Sequence, residues 1–489
     1  MNQLDYYLRL DYERWKDNPY LFEPGENGYH TLSFGEFIEY VDHFARFLLD
    51  KGLANKNIGI YSPNSINWMI ADIAIMNYVG LSVGFYKDWT YENVAYAIRK
   101  CDIEALLYAK ESKEIIDRLR DDFSNITFIS LESIFEQCGP KGDYIEYKDS
   151  KLFTLTPKDE NAPAKVVFTS GTTSFPKAVM LSLKNVFSGW KSLERRAPLN
   201  EGDVCYLFLP LNHTYGSIYN FIYSLVFGFK IYLAGSISDM AKEMMAVHPT
   251  VFSGVPLVFS KFYEGSKAMG ISLSTLLGGK MKYLFCGGAK LDSEIRDAYA
   301  KENLYMMNAY ALSETASAFC IDYPRETDYE SVGTLFEDIE AVVLNPNEEG
   351  YGELAAKGDN IFVGYYGDEE STKAAFSEDG YFLTGDIGCI KDRKVYIKGR
   401  KDKKIILPSG EGVLASALEE EILSLHDSAK SVKAYLRDGL LTCDIYVDIS
   451  NGDTLEKLWD ELIRERNTQT IKYKHIQKFN ICDIKTLLK

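Results

Sequence analysis

The chain is poor in cysteine and histidine, and neither forms a cluster. The eight cysteines stand at 101, 138, 205, 286, 320, 389, 443 and 482, with no CxxC pair among them. The six histidines, at 30, 43, 213, 248, 426 and 475, are equally scattered. Neither a structural zinc site nor a disulfide framework is expected from that spacing. An excess of positive charge is also lacking. Lys and Arg number 54 against 71 Asp and Glu, giving a formal net charge of −17 and a pI near 5.0. A phosphate-backbone binder needs a broad basic face, so nucleic acid is excluded as the main partner. No long run is free of polar residues. The most apolar stretch, Trp68 to Tyr86, contains Asp72 and Asn77, which a membrane helix avoids. It reads instead as a buried helix running into a strand, and no transmembrane segment is expected. The opening stretch MNQLDYYLRLDYERWKD is charged and amphipathic, without the apolar run of a signal peptide. A reducing cytoplasm is the expected compartment.

What is present is the composition of an ordinary soluble globular protein, with 46% hydrophobic and 26% charged residues. A length of 489 residues calls for at least two domains. Phe37, Val41, Phe44, Ala45, Leu48 and Leu49 share one helical face, and Gly52 follows as a stop. Short apolar strands at Ile58–Tyr61, Leu81–Tyr86 and Ala105–Tyr108 alternate with helical patterns, one of them starting near Thr90. The pattern of short buried strands recurs at 204–209, 230–234, 250–252 and 282–286. Such alternation predicts an α/β architecture: a large N-terminal domain of mostly parallel sheets flanked by helices. The character changes near residue 400. Segment 391–404, KDRKVYIKGRKDKK, holds eight Lys or Arg and two Asp inside an acidic chain. Beyond it, a helix (414–425), strands (432–436 and 441–448), a second helix (454–465) and a basic tail predict a small α+β domain. The expected division is 1–399 and 403–489, with a hinge near Asp402.

The stretch Val166-Val167-Phe168-Thr169-Ser170-Gly171-Thr172-Thr173-Ser174-Phe175-Pro176-Lys177 carries the strongest chemical signal. An apolar strand runs into a hydroxyl-rich turn that Pro and Lys close. Hydroxyls and exposed backbone N–H groups suit phosphate oxygens, and Lys177 supplies a compact positive charge. The P-loop pattern GxxxxGK[ST] does not fit, because Pro176 precedes Lys177. A kinase glycine-rich loop does not fit either, because the run holds a single glycine.

The form TSGTTxxPK resembles the signature loop of the adenylate-forming superfamily, which includes acyl-CoA synthetases, nonribosomal-peptide adenylation domains and luciferases. The family usually has Gly where this chain has Ser174. Further motifs follow in the family's order, from about residue 30 into the C-terminal region. Pro210-Leu211-Asn212-His213-Thr214-Tyr215-Gly216 looks like the loop beside the carboxylate, where an aromatic residue or His gates the acyl site. That places His213 at the acyl gate. Cys286-Gly287-Gly288-Ala289-Lys290-Leu291 resembles the turn that lies on adenine. Asn308-Ala309-Tyr310-Ala311-Leu312-Ser313-Glu314-Thr315 resembles YGLSET, with Ala311 in place of the usual Gly.

The resemblance implies that Thr169, Ser170, Gly171, Thr172, Thr173 and Lys177 hold the triphosphate. It implies that Gly288, Ala289, Lys290, Asn308, Ala309, Tyr310, Ala311, Leu312 and Ser313 frame adenine and phosphate, with Tyr310 stacked on the ring. Glu314, with Thr172, would bind Mg²⁺, as expected where a hard cation bridges oxygen donors and phosphates. Gly352-Glu353-Leu354, Gly364-Tyr365-Tyr366 and Gly380-Tyr381-Phe382-Leu383-Thr384-Gly385-Asp386 also follow the family. Asp386 would accept from the ribose hydroxyls, and Arg400 would add a second contact. Asp402 matches the hinge of a mobile C-terminal domain, and Ser409 and Gly410 fall where the thiol or CoA would bind. The family ends with a PxTxxGK loop whose Lys bridges carboxylate and α-phosphate. This chain ends FNICDIKTLLK, so Lys485 and Lys489 are the candidates, with Lys489 preferred by its place after KTLL.

The implied chemistry is ATP-dependent activation of a carboxylic acid to an acyl-adenylate. Transfer to a thiol follows, either CoA or the phosphopantetheine of an acyl carrier protein. An amine-holding Asp is missing from Asn212-His213-Thr214, so amino acids are disfavoured. A fatty or other apolar acid is the first expectation. The apolar, Tyr- and Phe-rich segment Tyr215–Leu233 is available either to line an acyl tunnel or to fill the core. An aryl-acid ligase, an acyl-AMP ligase serving a carrier protein and a non-catalytic nucleotide- or acyl-binding regulator stay open.

Overall fold

A computed structural model describes residues 1–26, 28–134, 151–169, 176–289, 291–316, 318–401, 404–406, 412–437, 439–448, 452–469 and 475–484. The chain forms two compact units. The first comprises Met1–Glu340 with Ala356–Phe382, and the second Ala341–Ala355 with Leu383–Lys489. The architecture is mixed α/β, with a large sheet-rich unit and a smaller one.

In the first unit, a seven-stranded sheet runs in the order Gly364–Tyr365, Ala178–Ser182, Pro163–Phe168, Leu81–Phe85, Asn57–Tyr61, Ala105–Tyr108, Thr127–Ser130. Neighbours from Pro163–Phe168 to Thr127–Ser130 are parallel. Ala178–Ser182 returns antiparallel on Pro163–Phe168, and Gly364–Tyr365 adds antiparallel to it. Leu81–Phe85 is buried along its whole length, as expected of a parallel strand covered on both faces.

The helix Phe34–Asp50 begins where Ser33 and Glu36 cap each other reciprocally, and it buries Phe37, Val41, Phe44, Ala45 and Leu48. The apolar stretch after it is a helix, Ile66–Ala74, capped by Ser65, that widens into a π-helical turn, Ile75–Val79, before the strand. Asp72 is satisfied internally, whereas the buried Nδ2 of Asn77 has no hydrogen-bond partner among the described residues. Asp72 meets Lys165 at 2.7 Å and accepts from Ser82 Oγ at 2.5 Å, while Asn77 Oδ1 accepts from Asn2 at 2.9 Å.

The unit's second sheet has a parallel centre in the order Met306–Tyr310, Tyr283–Gly287, Val251–Gly254, Val204–Leu207, Lys230–Leu233, Pro19–Gly25. Gly28–Ser33 closes one side antiparallel. Cys320–Ile321 and Thr334–Leu335 add antiparallel beyond Met306–Tyr310.

The second unit holds neighbouring strands Glu340–Leu344, Gly352–Lys357, Phe382–Lys391 and Lys394–Arg400. A small α+β core follows. Leu440–Val447 lies between antiparallel Ala429–Arg437 and parallel Lys478–Asp483. Ala415–Leu423 and Gly452–Gln469 pack on this sheet, with Trp459, Ile422, Leu441, Cys443 and Ile445 at the centre. The expected hinge, Asp402, lies outside the described residues. Among the described residues no helix is long and apolar enough to cross a membrane.

Candidate functional site

In an open α/β sheet the usual ligand position lies outside the carboxyl ends of the parallel strands. Pro163–Phe168 and Ala178–Ser182, paired antiparallel, flank the hydroxyl-rich run in sequence. At its ends Thr169 N–H donates to Lys177 O at 3.0 Å, and Lys177 N–H donates to Thr169 Oγ1 at 3.3 Å. Thr169 and Lys177 thus stand side by side, and the Lys177 chain is exposed. Ser170, Gly171, Thr172 and Thr173 lie outside the described residues.

Tyr283–Gly287 and Met306–Tyr310 are parallel neighbours, with Cys286 opposite Asn308 and Gly287 opposite Ala309. Gly288 and Ala289 leave the first strand exposed. Gly288 has φ +89°, a backbone that side chains resist. Tyr310 stands edge-on to Phe319, with ring centres 5.5 Å apart. Asn308 N–H donates to Asp322 Oδ2 at 2.9 Å, and Asn308 Nδ2 donates to Ser331 O at 2.9 Å. Asp322 also faces Arg296 at 3.4 Å, with both side chains buried. Burial outweighs these partners and pushes the Asp322 carboxyl up to about 6. Cys286, in the same turn, has its thiol pushed up to about 12 by burial, so it is not a nucleophile at neutral pH. Lys290 lies outside the described residues.

After Met306–Tyr310, exposed Ala311 and half-buried Leu312 and Ser313 lead into a short turn. Thr315 Oγ1 accepts from Leu312 N–H at 2.9 Å and donates to Leu312 O at 3.0 Å. Glu314, on this turn, accepts a 2.8 Å hydrogen bond from Tyr365 Oη at its Oε1. The Tyr365 ring carries Lys177 Nζ 4.5 Å from its centre. Tyr365 therefore joins the carboxylate expected to hold the cation to the lysine expected to hold phosphate. The motif Gly364-Tyr365-Tyr366 was visible in the sequence, but no role for Tyr365 followed from it.

The loop expected beside the carboxylate follows Val204–Leu207. There Asn212 crosses the other sheet at Gly84, where an added Cβ would lie 2.9 Å from Asn212 Cβ. Asn212 is 6% exposed, and its Nδ2 has no hydrogen-bond partner among the described residues. His213 Nδ1 accepts from Tyr215 N–H at 3.2 Å, and burial lowers the pKa of the ring, favouring neutral imidazole. A π-helix, Tyr215–Ile222, follows, a winding often found at functional sites. Tyr215 Oη donates to Phe285 O at 3.0 Å, on the strand that leads into the turn expected at adenine, and the Tyr219 hydroxyl accepts from Ala318 N–H. Ile218, Phe221, Ile222 and Leu225 are fully buried, so most of the apolar segment is core.

Asp386 and Arg400 belong to the second unit. They are opposed residues of the hairpin Phe382–Lys391/Lys394–Arg400. Arg400 Nη1 donates to Thr384 O at 2.9 Å and lies 3.4 Å from each Asp386 oxygen. Ser409, Gly410, Lys485 and Lys489 lie outside the described residues.

Magnesium fits what is described. Glu314 offers a half-buried carboxylate whose Oε2 carries no hydrogen bond among the described residues. No group of three or more His, Cys, Asp or Glu side chains able to hold a metal occurs among the described residues. One carboxylate completed by substrate phosphates is how Mg²⁺ is commonly bound, in contrast to an all-protein cage.

A family described as AMP-binding enzyme matches residues 9–366. The long-chain-fatty-acid–CoA ligase ACSBG2 of Gallus gallus is 26% identical over 475 residues, covering 82% of this chain and 62% of that protein. This chain thus spans less than two thirds of that relative's length. The long-chain-fatty-acid–CoA ligase heimdall of Drosophila melanogaster is 25% identical over 542 residues, covering 92% of this chain and 78% of that protein. Among solved structures, ATP-bound MatB from Rhodopseudomonas palustris superposes with a TM-score of 0.81 at 21% identity, over 99% of this chain and 95% of that one.

Proposed function

The chain belongs to the AMP-binding enzyme family, and from that premise we propose that it is an ATP-dependent acid–CoA ligase acting on a fatty or other apolar acid. One observation carries the reading above all. Lys177, at the end of the hydroxyl-rich run, and Glu314 are tied together by Tyr365, and the exposed Gly288-Ala289 turn leaves the strand that neighbours the one leading to Glu314. The relatives named above are fatty-acid ligases, which supports the acid class.

In the first step a carboxylate oxygen of the acid attacks the α-phosphorus of ATP, and pyrophosphate leaves with the electron pair of the broken P–O bond. In the second, a CoA thiol attacks the acyl carbon, its proton is lost and AMP departs. No protein nucleophile is required, so this chain's contribution is positioning and charge. Thr169, Ser170, Gly171, Thr172, Thr173 and Lys177 hold the β- and γ-phosphates. Gly288, Ala289, Lys290, Asn308 to Leu312 and Tyr310 frame adenine, and Ser313 reaches the α-phosphate. Asp386 and Arg400 take the ribose. Glu314, with Thr172, holds Mg²⁺, which supplies charge neutralisation at the phosphates. Neutral His213 gates the acid, Lys489 or Lys485 bridges carboxylate and α-phosphate, and Ser409 and Gly410 meet the thiol. The small domain, 403–489, turns about Asp402 between the two steps. Seven free thiols among the described cysteines support a reducing, cytoplasmic setting.

The test is hydroxamate trapping of the activated acyl group across fatty, aryl and amino acids, with and without CoA. Acid-dependent pyrophosphate release with fatty acids and a CoA thioester product are expected. ATP binding with no acid-dependent turnover would make the protein a nucleotide sensor. A hydroxamate without any CoA thioester would point to a carrier-protein phosphopantetheine as acceptor.

A further inference from the structure

Tyr365 stands outside every role assigned above, yet it touches two of the groups that would meet the triphosphate. Its strand, Gly364–Tyr365, pairs antiparallel with Ala178–Ser182, the strand that follows the hydroxyl-rich run, with Tyr365 opposite Val179. Tyr366 N–H donates to Ala178 O and Val363 N–H to Met180 O, so the backbone on both sides is fixed to that strand. Phe362 N–H donates to Glu314 O at 2.8 Å, which ties the same segment to the turn carrying the glutamate. The ring is 8% exposed and packs edge-on against Phe362 at 4.9 Å. Phe362 is held in turn by Phe376 and Phe382. Tyr365 N–H donates to Thr372 Oγ1 at 2.9 Å. The hydroxyl is thus delivered by a rigid, aromatic-backed strand.

We infer that Tyr365 is a positioning residue for the reaction, with two separable tasks. Its hydroxyl fixes Glu314 Oε1 so that Oε2 faces the cation, and its ring face holds the Lys177 ammonium at the triphosphate. This rests on the acid–CoA ligase reading and adds a residue to it. An unrestrained glutamate side chain would lose rotamer freedom on binding the metal, and a pre-tied one does not. A cation held on an aromatic face remains partly desolvated and ready for phosphate.

The two tasks predict different losses. Tyr365→Phe keeps the ring and removes only the hydroxyl. Calorimetry should then show ATP affinity in EDTA unchanged, while the magnesium concentration for half-maximal enhancement of ATP binding rises about tenfold, the effect of losing one hydrogen bond to a charged group. Tyr365→Leu removes both, so ATP affinity in EDTA should fall as well, by roughly two- to fivefold. Tyr365→Phe therefore rescues the metal-free affinity of Tyr365→Leu but not its magnesium dependence, a pattern that a purely structural role would not give. Thermal melting of Tyr365→Phe checks that the fold is intact should Tyr365→Leu fail to fold. A wild-type magnesium dependence in folded Tyr365→Phe overturns the inference alone. Absence of ATP binding by the wild-type chain, with or without magnesium, overturns the ligase reading and this inference together.

Discussion

Asp72 and Lys165, 93 positions apart in sequence, meet at 2.7 Å with neither side chain exposed. Ser82 Oγ donates to the other Asp72 oxygen, and Lys165 Nζ lies 4.8 Å from the centre of the Trp68 ring. Burial lowers the Lys165 pKa, and Asp72 opposes the shift. Removing one member leaves a buried charge without its partner. Asp72→Asn or Lys165→Met should each cost about 3–5 kcal/mol, and Asp72→Leu with Lys165→Met should recover most of it. Urea midpoints of the three variants check this, and single variants as stable as the wild type would contradict it.

Asp322 makes stability depend on pH in an unusual direction. Its carboxyl titrates near 6 in the fold against an ordinary 3.8, so between those values the folded chain holds a proton that the unfolded chain has released. Stability from this group is therefore present at low pH and lost as pH rises through about 6. Asp322→Asn should remove that decline. Melting temperatures across this window, wild type against variant, provide the comparison.

At Gly288, φ is +89°. Gly288→Ala places a Cβ where L residues are strained, costing about 1–2 kcal/mol locally. The exposed turn is expected to shift, and ATP affinity to fall with little change in melting temperature. Unaltered affinity would argue against adenine lying on this turn.

Asp386 is 5% exposed and faces Arg400. If it accepts from the ribose diol, Asp386→Ala should raise the KM for ATP about tenfold or more, the effect of losing hydrogen bonds to a charged acceptor. The same variant should bind AMP more weakly and pyrophosphate normally, a contrast calorimetry can read.

The C-terminal lysines make a separable prediction. Lys489→Ala should slow adenylation more than about a hundredfold, as expected for a charge aimed at the reacting phosphate, while sparing thioester formation from preformed adenylate. Equal loss of both steps would remove Lys489 from that role, and loss of adenylation in Lys485→Ala alone would transfer it there.

Local patterns made much of the fold legible. The apolar face of Phe37, Val41, Phe44 and Leu48 belongs to the helix Phe34–Asp50, and the alternation of short strands gave the two parallel sheets their positions. Ends were blurred where nothing apolar marks them. The expected strand 432–436 runs from Ala429 to Arg437, extended by register with its neighbour. The expected helix 454–465 runs from Gly452 to Gln469. The π-helical turns Ile75–Val79 and Tyr215–Ile222 were invisible, because i→i+5 winding leaves no period that a 3.6-residue pattern reveals. The proposed site was legible where a motif is contiguous, as at Thr169 and Lys177 or Asn308 to Glu314, and those residues are candidates on that ground. Tyr365 is opposite in kind. Its hydroxyl meets a residue 51 positions away, and no local spacing encodes that meeting.

The order of strands in the seven-stranded sheet also governs how the chain emerges from synthesis. Asn57–Tyr61, Leu81–Phe85, Ala105–Tyr108 and Thr127–Ser130 are all made before Pro163–Phe168, which must cover the open side of Leu81–Phe85. During that interval a strand destined for complete burial offers an unpaired edge, the template on which nascent chains aggregate. Translational pausing ahead of residue 163, or shortage of a chaperone that shields this edge, should therefore lower soluble yield far more than the same disturbance after residue 182.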